Sequence, residues 1–189
     1  MIKPEKKLEV VYRDINEDLI NLCCDGDEHA QYKLYKLYSK AMYNVALRIV
    51  NDPADAEDVL QEAFINAFTN IRSYGKKASF GSWLKRIVIN KALNFVNAKK
   101  WHFDDLDHRS ENIIDEGDHK AEDEDYKVWQ IKNAMKTLPN GFRMVLSLYL
   151  FEGYDHKEIA EIMNITESTS KSQYKRAKDK LRSLLKTEN

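Results

Sequence analysis

Apolar residues recur at three- and four-residue steps along most of this chain, a period that belongs to helices and not to strands. Tyr35, Tyr38, Met42, Val45 and Ile49 form one such stripe, on a helix expected to start near Asp27. Asp52 followed by Pro53 has the order of a cap and a first helical turn. Ala56, Val59, Ala63 and Ala67 carry a second stripe from there, backed by Leu60, Phe64 and Phe68. The chain breaks at "SYGKKASFGS", after which Ser82 is expected to cap a third long helix from Trp83 to about Ala98. Three prolines and six glycines are all that interrupt 189 residues, so the expected fold class is all-α.

The organisation is read from where the period stops. From Trp101 to Asp125 the stretch "WHFDDLDHRSENIIDEGDHKAEDED" holds eleven acids against two lysines or arginines. That composition reads as a flexible acidic linker. Three or four shorter helices follow it, with a break at "LPNG" and a helix over Phe142–Phe151. The division expected is two small helical domains, 14–100 and 127–187, joined by a linker over 101–126.

Several classes are excluded early. No run of about 18 apolar residues is present to span a membrane, and "MIKPEKKLEVVYRD" has no apolar signal core. A cytoplasmic location is expected. Cys23 and Cys24 are adjacent and lack a second pair, so both are expected to be reduced structural thiols. The five histidines have no cysteine or carboxylate at a ligand spacing, and no glycine-rich phosphate loop or nucleophile elbow occurs. Neither an enzyme nor a metal or other cofactor is expected.

The C-terminal segment "YDHKEIAEIMNITESTSKSQYKRAKDKL" carries a more specific pattern. Asp155 and Glu158 have the spacing of a capping box. Ile159, Ala160 and Ile162 supply the inner face of a short helix. Asn164 suits a left-handed turn residue, Ile165 can tuck beneath that turn, and Thr166 can cap the next helix. Together these make a helix-turn-helix. At about 100° per residue, Tyr174, Ala177, Leu181, Leu184 and Leu185 fall on one side of the second helix. Ser172, Lys175, Arg176 and Asp179 fall opposite, with Lys171 and Arg182 at the flanks. Such helices use their early residues, here Thr169 to Arg176, on base edges, while cations farther along, such as Lys178, hold phosphates.

Two more blocks carry charge of one sign. Between Arg72 and Lys100 there are eight lysines and arginines and no acid, which suits a phosphate backbone. Tyr74, Phe80, Trp83 and Phe95 lie among them. The Phe80 and Trp83 rings admit two readings, as core or as platforms for unstacked bases. Trp83, Arg86, Asn90, Asn94 and Asn97 share one helix face, and asparagine pairs well with adenine edges. Just upstream, "NDPADAEDVLQEAF" has five acids and no cation. Asp58, Gln61 and Glu62 form a polar ridge there that a basic protein could grip.

These motifs, in this order, resemble a sigma factor of bacterial RNA polymerase, of the small two-domain extracytoplasmic-function class of the sigma-70 family. "DAEDVLQEAFINAF" is similar to the family's polymerase-binding helix, "SFGSWLKRIVINKALNFV" to its melting and -10 segment, and the chain from "LPNG" to "KDKL" to its -35-reading domain. The resemblance implies that Asp58, Gln61 and Glu62 dock on the clamp helices of core RNA polymerase. It implies that the loop around Lys76, Lys77 and Ser79 captures an unstacked -10 base, with Phe80 and Trp83 near strand separation and Arg86, Asn90 and Asn94 facing the strand. Thr169, Lys171, Ser172, Lys175, Arg176 and Lys178 would address the -35 duplex of promoter DNA. The acidic linker would lie in the RNA-exit channel, and an anti-sigma factor, often membrane-bound, would hold the chain until a signal frees it. Ser170 and Gln173 stand where many members have valine and arginine. The alternative is a dimeric helix-turn-helix regulator acting without polymerase, which leaves the acidic ridge and the basic block unused.

Overall fold

The computed structural model describes residues 14–103 and 123–187. Those residues form eight α-helices and no strand: α1 (Glu17–Cys24), α2 (Glu28–Val50), α3 (Pro53–Thr69), α4 (Phe80–Phe103), α5 (Asp123–Lys136), α6 (Asn140–Leu150), α7 (His156–Met163) and α8 (Glu167–Thr187), with a 3-10 turn at Ile71–Ser73. The all-α expectation holds. The expected linker is helical at its edges, since α4 runs on to Phe103 and α5 begins at Asp123; the rest of it lies outside the described residues. Among the described residues no helix is long and apolar enough to cross a membrane.

Local chemistry sets most helix ends. The Asp27 carboxylate accepts from Ala30 N–H at 2.8 Å and the Asp52 carboxylate from Asp55 N–H at 2.9 Å, ahead of Pro53. At α7 the capping box is complete: Asp155 accepts from Glu158 N–H at 2.8 Å, and Glu158 accepts from Asp155 N–H at 2.9 Å. Asn164 is left-handed at φ 52°, where its short polar side chain is tolerated. The start of α4 differs from expectation. The helix begins at Phe80, and Ser79 rather than Ser82 caps it, accepting from Ser82 N–H at 3.2 Å. A second acceptor comes from the far N-terminal side of the fold, where Asp14 Oδ2 takes Phe80 N–H at 2.6 Å.

Helices α2, α3 and α4 pack into one core. Ala56, Val59, Ala63 and Ala67 of α3 are buried, and their small side chains let the helices approach closely; Leu84, Val88 and Ala92 of α4 face them. The α2 stripe is rotated from expectation. Leu34 is fully buried, whereas Tyr35 stands at the edge with 36% of its surface exposed. Gly81 meets α2 so closely that a Cβ there would lie 3.0 Å from the Tyr38 ring.

The second group, α5 to α8, has its own small cluster of Met135, Leu138, Leu146 and Ala177. Helix α6 is buried on more than one side, because Met144, Val145 and Leu148 join the core of α2–α4, as does Ile159 of α7. Arg143 sits at this seam, 4% exposed, and donates to Leu138 O at 3.0 Å, Ile49 O at 3.2 Å and Asn140 Oδ1 at 2.8 Å. Burial pulls its guanidinium down to about 10. Ile49 lies in the last turn of α2, where unpaired carbonyls favour a cation.

Candidate nucleic-acid interface

The recognition helix is held from both ends of the turn that precedes it. Thr166 Oγ1 accepts from Thr169 N–H at 3.0 Å, and the two threonine hydroxyls lie 2.8 Å apart, so Thr169 is engaged in the cap. Ala177 is fully buried and Tyr174, Leu181 and Leu184 are packed against α5 and α6, which turns Ser172, Lys175, Arg176 and Asp179 outward. Ser172 Oγ donates to Thr169 O at 3.0 Å. Lys171 pairs with Glu167 at 2.6 Å; this hydrogen bond, and then the Lys171 charge, hold the Glu167 carboxyl below its ordinary value. The Lys178 ammonium lies 4.8 Å from the centre of the Tyr174 ring, at the flank of the exposed face.

The two departures from the family pattern point inward. Ser170 is fully buried, its Oγ 3.0 Å from His156 Nδ1. Gln173 is half-buried against Gly141 at the start of α6. His156 stacks on Tyr149 with ring centres 4.8 Å apart, and Tyr149 meets Tyr174 at 4.5 Å. This polar and aromatic seam fixes α8 against α6 and α7.

On α4, Arg86, Asn90 and Asn94 are exposed along one face, as the helical period predicts. Trp83 is half-buried. Phe80 is not at the surface. It is 0% exposed, with its ring centre 5.4 Å from Tyr38, 5.7 Å from Tyr74 and 5.5 Å from Trp83. The core reading therefore replaces the base-contact expectation for this ring: a side chain sealed by three aromatics has no face to offer a base. In the preceding loop Lys77 is exposed, while Lys76, at φ 54°, pairs with Glu17 of α1 at 2.6 Å.

The all-basic block is also less available than its composition suggests. Besides Lys76, Lys91 pairs with Glu62 at 3.2 Å, Lys99 with Asp55 at 2.8 Å and Lys85 with Glu152 at 3.4 Å. Arg72 donates to Cys24 O at 3.1 Å. Two of these pairs join α4 to α3, so part of each single-sign block neutralises the other. Asp58, Gln61 and Glu62 nonetheless all stand exposed on α3. Gln61 borders a groove between α2 and α3 with Tyr35, Tyr43, Glu57 and Leu60. Asp14, Arg48, Glu152 and His156 were not singled out by the sequence. Each acts through a partner at least 14 residues away, which no local pattern records.

The model of "Sigma-70 region 2" matches residues 34–102 and that of "Sigma-70, region 4" matches residues 129–181. The RNA polymerase sigma-H factor of Pseudomonas aeruginosa is 30% identical over 174 residues, covering 87% of this chain and 90% of that protein. The ECF RNA polymerase sigma factor SigM of Bacillus subtilis is 30% identical over 156 residues, covering 80% and 93%. Among solved structures, the fold is similar to the sigma factor RpoE in complex with the anti-sigma factor NepR from Bartonella quintana, with a TM-score of 0.61, 21% identity and coverage of 84% and 98%. It is also similar to CnrH in complex with the cytosolic domain of CnrY, with a TM-score of 0.56, 20% identity and coverage of 92% and 99%. The chain belongs to the sigma-70 family, in its extracytoplasmic-function class, and is a sigma factor that binds core RNA polymerase and directs it to promoters.

Proposed function

We propose that the exposed ridge of Asp58, Gln61 and Glu62 is the polymerase-docking surface, that Arg86, Asn90 and Asn94 with Trp83 and Lys77 face the opened -10 strand, and that Ser172, Lys175 and Arg176 read the -35 duplex. Lys171 and Lys178 flank that reading face and hold phosphates, while Ser79, as the cap of α4, and Thr169, bonded to the Thr166 cap of α8, lie beside the DNA. The observation that carries this reading is the outward polar face of α8. Its early hydroxyls and later cations stay exposed while the capping box, the left-handed Asn164 and the Thr166 cap fix the helix that bears them. The contribution to initiation is binding, with no catalysed step, and polymerase as partner puts the chain to work in the cytoplasm. The structural neighbour captured with the anti-sigma factor NepR supports the proposal that such a protein holds this chain as well.

The test is retention on immobilised core polymerase. Reversing Asp58 and Glu62 together to lysine removes two attractions, and losing a desolvated interfacial charge pair costs about 2–5 kcal/mol, mostly in dissociation rate. The Asp58→Lys, Glu62→Lys double variant should wash off while its circular dichroism stays that of the parent. Wild-type retention by the folded variant rejects the ridge. A gel shift with the chain alone and with core polymerase separates this reading from a regulator that acts without polymerase.

A further inference from the structure

The turn between α6 and α7 ends on a carboxylate that is deeply placed and doubly paired. Glu152 has a side chain only 5% exposed. Its Oε1 lies 2.5 Å from Arg48 Nη2 of α2, and its Oε2 lies 3.4 Å from Lys85 Nζ of α4. Lys85 also donates to the Glu152 carbonyl at 3.2 Å. The neighbours of Glu152 cover the same cations: the Arg48 guanidinium sits 5.2 Å from the Phe151 ring centre and the Lys85 ammonium 5.6 Å from that of Tyr154. Gly153, at φ 78°, makes the turn tight enough to aim all three side chains one way, with Tyr154 N–H donating back to Leu148 O at 3.1 Å.

Two cations from different helices converging on one anionic group have the chemistry of a phosphate site. Arg48 offers a planar fork and Lys85 a point charge, and both suit phosphate oxygens as well as carboxylate. Arg86, next to Lys85 on α4, also lies close enough to the turn for its charge to act on Tyr154, as Lys85 does, so the site borders the exposed α4 face of Arg86, Asn90 and Asn94. We propose that Arg48 and Lys85 form a backbone-phosphate site for the opened promoter strand, and that Glu152 occupies it in the closed arrangement as an intramolecular stand-in for the phosphate. This rests on the proposal that α4 faces the -10 strand. Strand and turn then compete for one pair of cations, and DNA engages the site only when the turn over 151–155 moves off Arg48 and Lys85.

Phosphate recognition is independent of sequence, so a fluorescein-labelled oligo(dT) of 20 nucleotides serves as the probe for the free full-length chain. Glu152→Gln keeps the shape and one of the two acceptor oxygens and removes the charge. If about one molecule in ten is open in the wild type, freeing the site raises apparent affinity by up to about tenfold. The salt dependence should steepen by about 1.4, at about 0.7 per cation on a single strand. Adding Arg48→Ala and Lys85→Ala to Glu152→Gln should abolish the gain in affinity and in slope. Glu161→Gln, which removes an exposed charge on α7, should leave affinity nearly unchanged. The proposal is overturned if Glu152→Gln binds as the wild type does, if its gain survives loss of both cations, or if Glu161→Gln reproduces it. Asn90→Ala with Asn94→Ala, assayed with polymerase on a promoter, tests the α4 reading separately. A promoter defect there beside an inert Glu152→Gln rejects the phosphate site alone, and no defect rejects the α4 reading.

Discussion

Asp14 ties the beginning of the described chain to the start of α4. It is 7% exposed, with Oδ2 accepting from Phe80 N–H at 2.6 Å and Oδ1 from Asn16 N–H at 2.9 Å. Phe80 is the first residue of α4, so its N–H is one of the donors that a helix start leaves unpaired. Asp14→Ala orphans that N–H in a buried place, at about 1–3 kcal/mol. The favourable placement of a carboxylate at a helix N-terminus adds about 0.3–1 kcal/mol. The bond to Asn16 is half-exposed and contributes little, because water replaces it. The total is about 1.3–4 kcal/mol, which for a chain of this size lowers Tm by roughly 3–16 °C. Asp14→Asn keeps one acceptor for Phe80 N–H and loses the charge and the weaker bond to Asn16 N–H, so it should cost about 1 kcal/mol. Urea unfolding followed by circular dichroism gives the stability. Tryptophan emission, read with Trp101 and Trp129 changed to phenylalanine, follows the site locally, since the Trp83 ring centre lies 5.5 Å from that of Phe80. Asp14→Ala within 0.5 kcal/mol of wild type, below the range just argued, would refute the idea that this residue caps α4.

The remaining predictions concern the reading head and the thiols. Arg176→Ala should cost about 1–3 kcal/mol in -35 binding by the polymerase complex and relax preference at one or two positions, measured over single-base promoter variants. Lys178→Ala should weaken all promoters alike and reduce the salt slope by about one, measured as a salt titration. Cys23, 3% exposed, has its thiol pushed up to about 11 from 9.0, by burial first and then by Cys24 and Asp27, so iodoacetamide should modify Cys24 well before Cys23 in the folded chain. A raised acid binds its proton longer in the folded state. The stability this group contributes is therefore full below about pH 9 and lost as pH rises towards 11, by up to about 2–3 kcal/mol; Cys23→Ala should flatten that part of a stability–pH curve.

What was legible in the sequence is what local chemistry decides. The caps at Asp27, Asp52, Asp155 and Thr166 and the left-handed Asn164 each depend on residues within four positions, and each is where the pattern puts it. The exposed faces of α4 and α8 follow from the helical period alone. Phe80 shows the limit. With Ser82 taken as the cap, Phe80 falls in a loop among cations and reads as an aromatic available to bases. With Ser79 as the cap, Phe80, Leu84, Val88 and Ala92 run at four-residue steps down one face, and all four are buried. The start of the helix thus decided the role assigned to the ring. The pairs Asp14–Phe80 and Arg48–Glu152 are separated by 66 and 104 residues, and a charge at either end looks like any solvated charge until the fold joins them.

The same distinction bears on what this factor reads. Ser170 and Gln173 differ from the commonest family pattern within the recognition helix, which on sequence alone puts its DNA preference in question. Both lie on the inner side. Ser170 answers His156 at the seam of α7 and α8, and Gln173 packs on the bare backbone of Gly141, where a Cβ would stand 3.4 Å from its side-chain oxygen. A serine in this enclosed position needs a partner, because an unpaired buried hydroxyl costs about 1–3 kcal/mol, and the His156 imidazole supplies it. A Cβ at Gly141 would make only ordinary contact with the Gln173 amide, whose Oε1 is buried without a hydrogen-bond partner. Both residues face α6 and α7 and bear on how α8 is seated. If, as proposed, Ser172, Lys175 and Arg176 are offered to the -35 groove, differences in promoter choice between this chain and its relatives should follow those three positions more closely than the two that look most divergent.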